Sequence, residues 1–184
     1  MRLIIFGPPG AGKGTQAELI SKHFCIPHIS TGEIFRTAIY HETPLGLEAK
    51  KYLDSGNLVP DTITTGIIRD ALNSPRSDPG FLLDGFPRTL PQAVSLDQII
   101  AELAHSIDRV INLVVEEEEI IDRMMKRGRT DDLRETIANR MKVYLKSTEP
   151  LIEFYRKKKI LLDIDGMGEI SEISERIFTA LDHK

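Results

Sequence analysis

The chain has 184 residues, 41 % hydrophobic and 28 % charged, a balance that suits a globular protein with one sizeable core and room for a small insertion. A net charge of −4 gives no bulk attraction to nucleic acid or to an anionic membrane. The one cysteine, Cys25, excludes an internal disulfide and a multi-cysteine zinc site, and is expected to be a small core residue closing the first helix. Met1-Arg2 runs straight into a strand pattern without a signal peptide, and no apolar run approaches the ~20 residues of a membrane helix, so a cytoplasmic location is expected.

In chain order, the apolar run Leu3–Phe6 predicts a buried strand, and Gln16–Phe24 has helical spacing. Pro27–Ser30 is a weaker strand pattern. Phe81–Leu83, Val110–Val115 and Ile160–Ile164 are further short apolar runs nearly free of polar residues, as strands covered on both faces require. Between them lie helical patterns over 45–53, 61–72, 91–103, 117–126, 132–146, 150–158 and 170–181. Strand and helix alternating in this way predict an α/β fold in three layers, with right-handed crossovers and a five-stranded parallel sheet flanked by helices. Roughly fifty residues separate the second and third strands where a direct crossover needs about a dozen. The excess, with Pro44 and the Ser55-Gly56-Asn57 turn inside it, predicts an inserted subdomain of two or three short helices, a plausible clamp.

Between the first strand and the first helix stands Gly7-Pro8-Pro9-Gly10-Ala11-Gly12-Lys13-Gly14-Thr15. Strand, glycine-rich turn and helix together make a phosphate-binding loop. Glycines turn successive N–H groups inward, the helix adds its unpaired N–H groups and dipole, and Lys13 adds a mobile charge. A plain turn has no use for that lysine. The usual hydroxyl directly after the lysine is replaced by Gly14, with Thr15 one place later.

Ligands in such sheets sit beyond the carboxyl ends of strands. The segments there carry Thr31-Gly32-Glu33-Ile34-Phe35-Arg36 and Asp84-Gly85-Phe86-Pro87-Arg88. Further on come Arg123 and Arg127, four apart on one helical face, then Gly128-Arg129-Thr130-Asp131-Asp132 and Arg140. Singly these arginines read as surface groups. Gathered around a phosphate loop they form a guanidinium cluster suited to the spread charge of phosphoryl transfer. No evident general base accompanies them, which fits an acceptor that is already an ionised phosphate.

The series resembles the adenylate kinases, within the nucleoside monophosphate kinases, over nearly the whole chain: Gly7–Thr15, Thr31-Gly32 to Arg36, Asp84 to Thr89 with Gln92, Arg123 and Arg127, Arg129 to Asp132, and Arg140 keep the family's order and spacing. The resemblance implies a P-loop NTPase fold and the reaction ATP + AMP ⇌ 2 ADP with Mg²⁺. It also implies a core of residues 1–29, 60–126 and 133–184, an AMP-binding subdomain over 30–59, and a minimal lid over 127–132. The lid has no cysteines and so no structural zinc, and a monomer is expected.

Carried over by resemblance, Gly10, Ala11, Gly12, Lys13, Gly14 and Thr15 would hold the ATP phosphates. Thr31 and Arg36 would bind AMP, with the backbone at Asn57, Leu58 and Val59 and the Gly85-Phe86-Pro87-Arg88 turn. Asp84 would hold magnesium through water. Arg88, Arg123, Arg129 and Arg140 would clamp phosphates, Arg127 would lie against the adenine side of ATP, and Gly168 would meet that adenine by its backbone. Asp131 and Asp132 would either orient the arginines and magnesium waters or cap the following helix. Gln92 has two readings as well. Thr89-Leu90-Pro91-Gln92 fits a capping box, whereas by resemblance the Gln92 amide pairs with the AMP adenine edge, Thr31 and Gln92 forming the adenine-type pair. A pyrimidine (UMP/CMP) monophosphate kinase is the nearer alternative. A P-loop switch protein is the remote one, disfavoured because the chain has no Asn-Lys-x-Asp guanine motif.

Overall fold

Five short strands form one sheet in a computed structural model of the chain, which describes residues 1–127 and 134–182. They are β1 (Arg2–Phe6), β2 (His28–Ser30), β3 (Phe81–Asp84), β4 (Arg109–Val114) and β5 (Leu161–Asp165). All pairings are parallel, in the order β2-β3-β1-β4-β5. The helices are α1 (Lys13–Phe24), α2 (Thr31–Tyr40), α3 (Pro44–Leu53), α4 (Asp61–Leu72), α5 (Leu90–Glu102), α6 (Glu117–Arg127), α7 (Arg134–Val143), α8 (Pro150–Lys157) and α9 (Ile170–Asp182).

The central strands β1, β3 and β4 are mostly apolar because helices cover both faces of the sheet, and their polar residues stand chiefly at strand ends. Leu3, Ile4 and Ile5 are at most 1 % exposed, and burial of each such side chain contributes roughly 1.5–3 kcal/mol. Alternate residues of β1 serve opposite layers. Ile4 and Phe6 join Ile68 of α4, Leu96 and Ile99 of α5 and Tyr155 of α8. Leu3 and Ile5 meet Ala17 and Ile20 of α1 and Ile173, Ile177 and Leu181 of α9. With β3 on one flank of β1 and β4 on the other, the strand order reverses at β1. The loop leaving β1 therefore opens into a crevice walled by the chains leaving its neighbours.

The predicted three-layer α/β architecture with its five-stranded parallel sheet is the observed one. The differences lie at element ends. Helix α1 begins at Lys13 rather than Gln16, which puts the lysine in the first turn beside unpaired N–H groups. The predicted helix over 132–146 is described as α7 to Val143, followed by one π-helical turn, Tyr144–Thr148, that leads into α8. Pro150 gives the reason. In a regular α-helix its ring would press on the Lys146 carbonyl, and the wider turn, closed by the Glu149 N–H on the Tyr144 carbonyl at 2.9 Å, relieves that contact. Cys25 is a correction: it is exposed at the left-handed C-cap of α1 (φ 52°), and Ile26 takes the core position.

The segment between β2 and α4 packs around its own small cluster of Phe35, Ala49 and Val59, which Ile63 and Ile67 of α4 join. Helices α2 and α3 lie so close that a Cβ on Gly46 would stand 2.1 Å from the Ala38 carbonyl oxygen. Thr43 caps α3 by accepting from the Gly46 N–H at 3.1 Å and donates to the Ala38 carbonyl at 3.2 Å. Among the described residues no helix is long and apolar enough to cross a membrane. The Arg127 side chain, Arg129, Asp131 and Asp132, and with them most of the predicted lid, lie outside the described residues.

Candidate active site

The β1–α1 loop is shaped by backbone demands. Gly10 takes φ +88°, and a Cβ there would stand 2.7 Å from Met124 Cγ and 2.9 Å from the Ile120 carbonyl of α6. Only glycine accepts both the conformation and the contact. The Ala11 N–H closes the turn on the Pro8 carbonyl at 3.1 Å. Lys13 arches back over the loop, its Nζ donating to the Gly7 carbonyl at 2.7 Å and the Pro8 carbonyl at 2.8 Å.

Asp84 ends β3 beside this loop and is 9 % exposed. His28 Nε2 lies 3.3 Å from its Oδ2, and Ser30 Oγ donates to the same oxygen at 3.3 Å. Burial alone would raise the Asp84 pKa. The hydrogen bond from His28 and the charges of Lys13, His28 and Arg88 outweigh it, so the carboxyl titrates below its ordinary value and is ionised near neutrality.

The chain then turns through Gly85-Phe86-Pro87 to Arg88, which is held at three points. Its N–H donates to Gln92 Oε1 at 2.7 Å, its carbonyl accepts from Thr148 Oγ1 at 3.0 Å, and its Nε donates to the Gly85 carbonyl at 2.9 Å. Burial pushes the guanidinium pKa down. Asp84 opposes that shift, while Arg140 and Arg36 add to it. Three guanidiniums thus lie within one another's field beside Asp84, an arrangement suited to receiving an anion. At the other end Arg123 donates from Nη1 to the Ala11 carbonyl (3.3 Å) and from Nη2 to the Gly166 carbonyl (3.0 Å). Glu119, one turn earlier, holds its Nε at 2.7 Å. Helix α7 reaches across to the inserted segment: Asn139 Nδ2 donates to the Ser55 carbonyl at 2.7 Å and to Asn57 Oδ1 at 3.1 Å.

The glycine loop, Asp84, Arg36, Arg88, Arg123 and Arg140 wall one cleft of about 600 Å³. Of the residues singled out in the sequence, Gly10, Ala11, Gly12, Lys13, Gly14, Thr15, Arg36, Asn57, Leu58, Asp84, Gly85, Pro87, Arg88, Arg123, Arg140 and Gly168 line it. Four do not. Thr31, 3 % exposed, donates to the Gly85 carbonyl at 2.9 Å; Val59 sits in the cluster of the inserted segment; Phe86 anchors the turn in the main core. Gln92 is 2 % exposed and realises the capping geometry, its N–H donating to Thr89 Oγ1 at 3.2 Å. Its Oε1 reaches the N–H of Arg88, one residue before the cap. Glu119, Tyr144 and Thr148 line the cleft without having been singled out. Glu119 was legible as the i−4 partner of Arg123. Tyr144 and Thr148 were hidden because a π turn breaks the 3.6-residue period on which the reading of that helix rests.

A glycine cradle with a lysine at the sheet's switch point, facing an ionised carboxylate and a guanidinium cluster, defines a P-loop protein built to handle nucleotide phosphates. The family model described as adenylate kinase matches residues 5–160. Similar proteins include an adenylate kinase of Nocardioides sp., 49 % identical over 99 % of this chain and 97 % of its own length, and one of Leptospira biflexa, 50 % identical over 98 % and 99 %. One from Staphylococcus aureus is 44 % identical over the full length of both chains. The chain belongs to the adenylate kinase family, whose members are phosphotransferases acting on AMP and ATP.

Proposed function

We propose that this cleft transfers the terminal phosphoryl group of ATP to the phosphate of AMP, reversibly, giving two ADP. The observation that carries the reading is the convergence of Arg36, Arg88 and Arg140 across one cleft from Lys13 and the glycine loop. Two phosphate chains meeting end to end need positive charge along both and between them. The loop N–H groups and Lys13 would take the ATP phosphates, exchanging the Gly7 and Pro8 carbonyls for phosphate oxygens. Arg36 and Arg88 would take the AMP phosphate, and Arg140 would stand between the two. Arg123 belongs to the ATP end, with Gly168. Arg127 keeps the adenine-side role and Arg129 the phosphate role that the family resemblance implies.

The attacking oxygen belongs to a phosphate ionised at neutral pH, so no side chain has to remove a proton. Catalysis then rests on charge that fits the transferring phosphoryl better than the bound reactants. Magnesium fits this site. Among the described residues no three potential ligands cluster, but Mg²⁺ keeps several waters and leans on substrate phosphates, so the single ionised carboxylate of Asp84 suffices to hold it through water. When bound it would neutralise charge on the bridging phosphate oxygens. The AMP base would be read by Thr31, the backbone at 57–59 and Gln92, which selects adenine over pyrimidines. The protein is read as a monomer with no nucleic-acid partner.

The test is titration with two adenosines joined by five phosphates. Linking the two nucleotides makes the second binding event intramolecular, so one molecule per chain should bind at least about 100-fold more tightly than ATP or AMP. An affinity no better than that of ATP alone would mean that the cleft does not hold two nucleotides phosphate to phosphate. A preference for CMP or UMP over AMP as acceptor would move the assignment to the pyrimidine kinases.

A further inference from the structure

Gln92 is tied to protein through both polar atoms of its amide. Oε1 accepts from the Arg88 N–H at 2.7 Å, and Nε2 donates to Asp61 Oδ1 at 2.6 Å. Thr89 Oγ1 donates to the other oxygen of the same carboxylate at 2.8 Å, fixing Asp61 in turn. Asp61 is the first residue of α4, where the helix dipole favours a negative charge. A backbone N–H can only donate and an ionised carboxylate can only accept. Turning the amide by half a revolution would set N–H against N–H and oxygen against carboxylate. An unheld glutamine amide has two orientations close in energy; this one has a single allowed orientation.

An amide has two N–H groups and two lone pairs. Among the described residues one of each is spent on protein, leaving one donor beside one acceptor in a fixed order. Purine edges differ in that order. Adenine presents an acceptor at N1 beside the donor amino group on C6. A 6-oxopurine presents a donor N1–H beside an acceptor oxygen. We propose that Asp61 is a positioning residue that determines base specificity: by accepting from Gln92 it holds the amide in the orientation that pairs with adenine and denies the flipped orientation a 6-oxopurine monophosphate requires. The inference rests on Gln92 reading the base, as proposed above. Asp61 touches no nucleotide in it and acts only through the amide.

The experiment compares kcat/KM for AMP and IMP as phosphoryl acceptors in the unaltered protein, Asp61→Asn and Gln92→Ala. IMP departs from AMP only at ring positions 1 and 6, the two atoms concerned. Asp61→Asn can offer its own N–H₂ to a flipped Gln92 and leaves the Arg88 N–H as the other group opposing the flip, so the AMP:IMP ratio should fall by about tenfold or more, chiefly through the KM of the acceptor. The KM for ATP should stay within about twofold, because Asp61 acts on the base of the acceptor alone. Gln92→Ala should collapse the ratio further. If Asp61→Asn lowers the melting temperature yet leaves the ratio within about twofold, Asp61 only supports a helix start and the proposal is overturned. If Gln92→Ala leaves the ratio intact, the base reading fails and takes the inference with it; a collapse in Gln92→Ala alone overturns only the role of Asp61. A measurement on the unaltered protein does not depend on how the variants fold. In ¹⁵N-labelled protein the two Gln92 side-chain protons should be resolved, with the proton facing Asp61 protected from exchange before and after AMP is added. A single averaged, rapidly exchanging pair would overturn the assignment.

Discussion

At Lys13 and Arg88 the proposed reaction makes demands that single substitutions can test. The Lys13 ammonium rests on two neutral carbonyls, partners that phosphate oxygens outmatch once present. Lys13→Met should therefore leave the fold intact, by circular dichroism and thermal melting, while kcat falls several hundred-fold or more, on the order of 4 kcal/mol of transition-state stabilisation. Arg88 uses its Nε on the Gly85 carbonyl, and in the proposed reaction the two terminal nitrogens of its fork would meet the phosphate. A lysine offers one point charge and cannot do both, so Arg88→Lys should lower kcat/KM for AMP by about 100-fold or more. Losses of about tenfold or less for both variants, read by steady-state assay, would contradict these roles.

At the scale of elements, the inserted helices depend on one close approach. The Gly46 Cα position lets α3 lie against the backbone of α2, and an added methyl would meet Ala38 O, Ala38 C and Ile39 N at 2.1, 2.3 and 2.5 Å. Backbone cannot move aside as a flexible side chain would. Gly46→Ala should push α2 and α3 apart, at a cost of about 1–3 kcal/mol or more in urea unfolding. Because Arg36 rides on α2, the KM for AMP should rise by about tenfold or more while ATP affinity by calorimetry changes little. Equal losses for both nucleotides would show that the inserted segment is not a separate acceptor-binding unit. The π turn is a second such dependence. It presents Thr148 to the Arg88 carbonyl at 3.0 Å, coupling the α7–α8 connection to the turn that carries the central arginine.

Across the whole molecule, the response to alkaline pH follows from two shielded phenols. Burial, with Glu149 adding to it, pushes the Tyr144 hydroxyl up to about 12 from 10.0. Tyr155, buried in the main core, is shifted further in the same direction by burial and by Asp97. Both phenols give up their protons more readily in the unfolded chain. Their contribution to stability is thus whole below pH 10 and is lost as pH rises through the folded-state values. Denaturant midpoints measured from about pH 9 to 12 should fall, and Tyr144→Phe should fall less steeply, by on the order of 1–2 kcal/mol over that range once its partial exposure is allowed for. A parallel decline in the two proteins would exclude Tyr144 as a contributor.

Local sequence determined most of the sheet, because strands covered on both faces must be largely apolar, as Leu3–Phe6 is throughout and Val110–Val115 is but for Asn112, and such runs are visible without any partner. It also made the glycine loop with its lysine legible as a motif, although the contact that demands glycine at position 10 comes from α6, more than a hundred residues away. What it left open was settled by contacts between residues far apart in the chain. Cys25 faces solvent because the cap geometry turns it outward. Thr148 meets Arg88 through a π turn that no period announces. The Gln92 amide donates to Asp61, 31 positions away in sequence and 2.6 Å away in space, a contact that its sequence neighbours do not announce. Periodicity records which face of an element is buried; only the assembled fold decides which polar groups are left to satisfy one another.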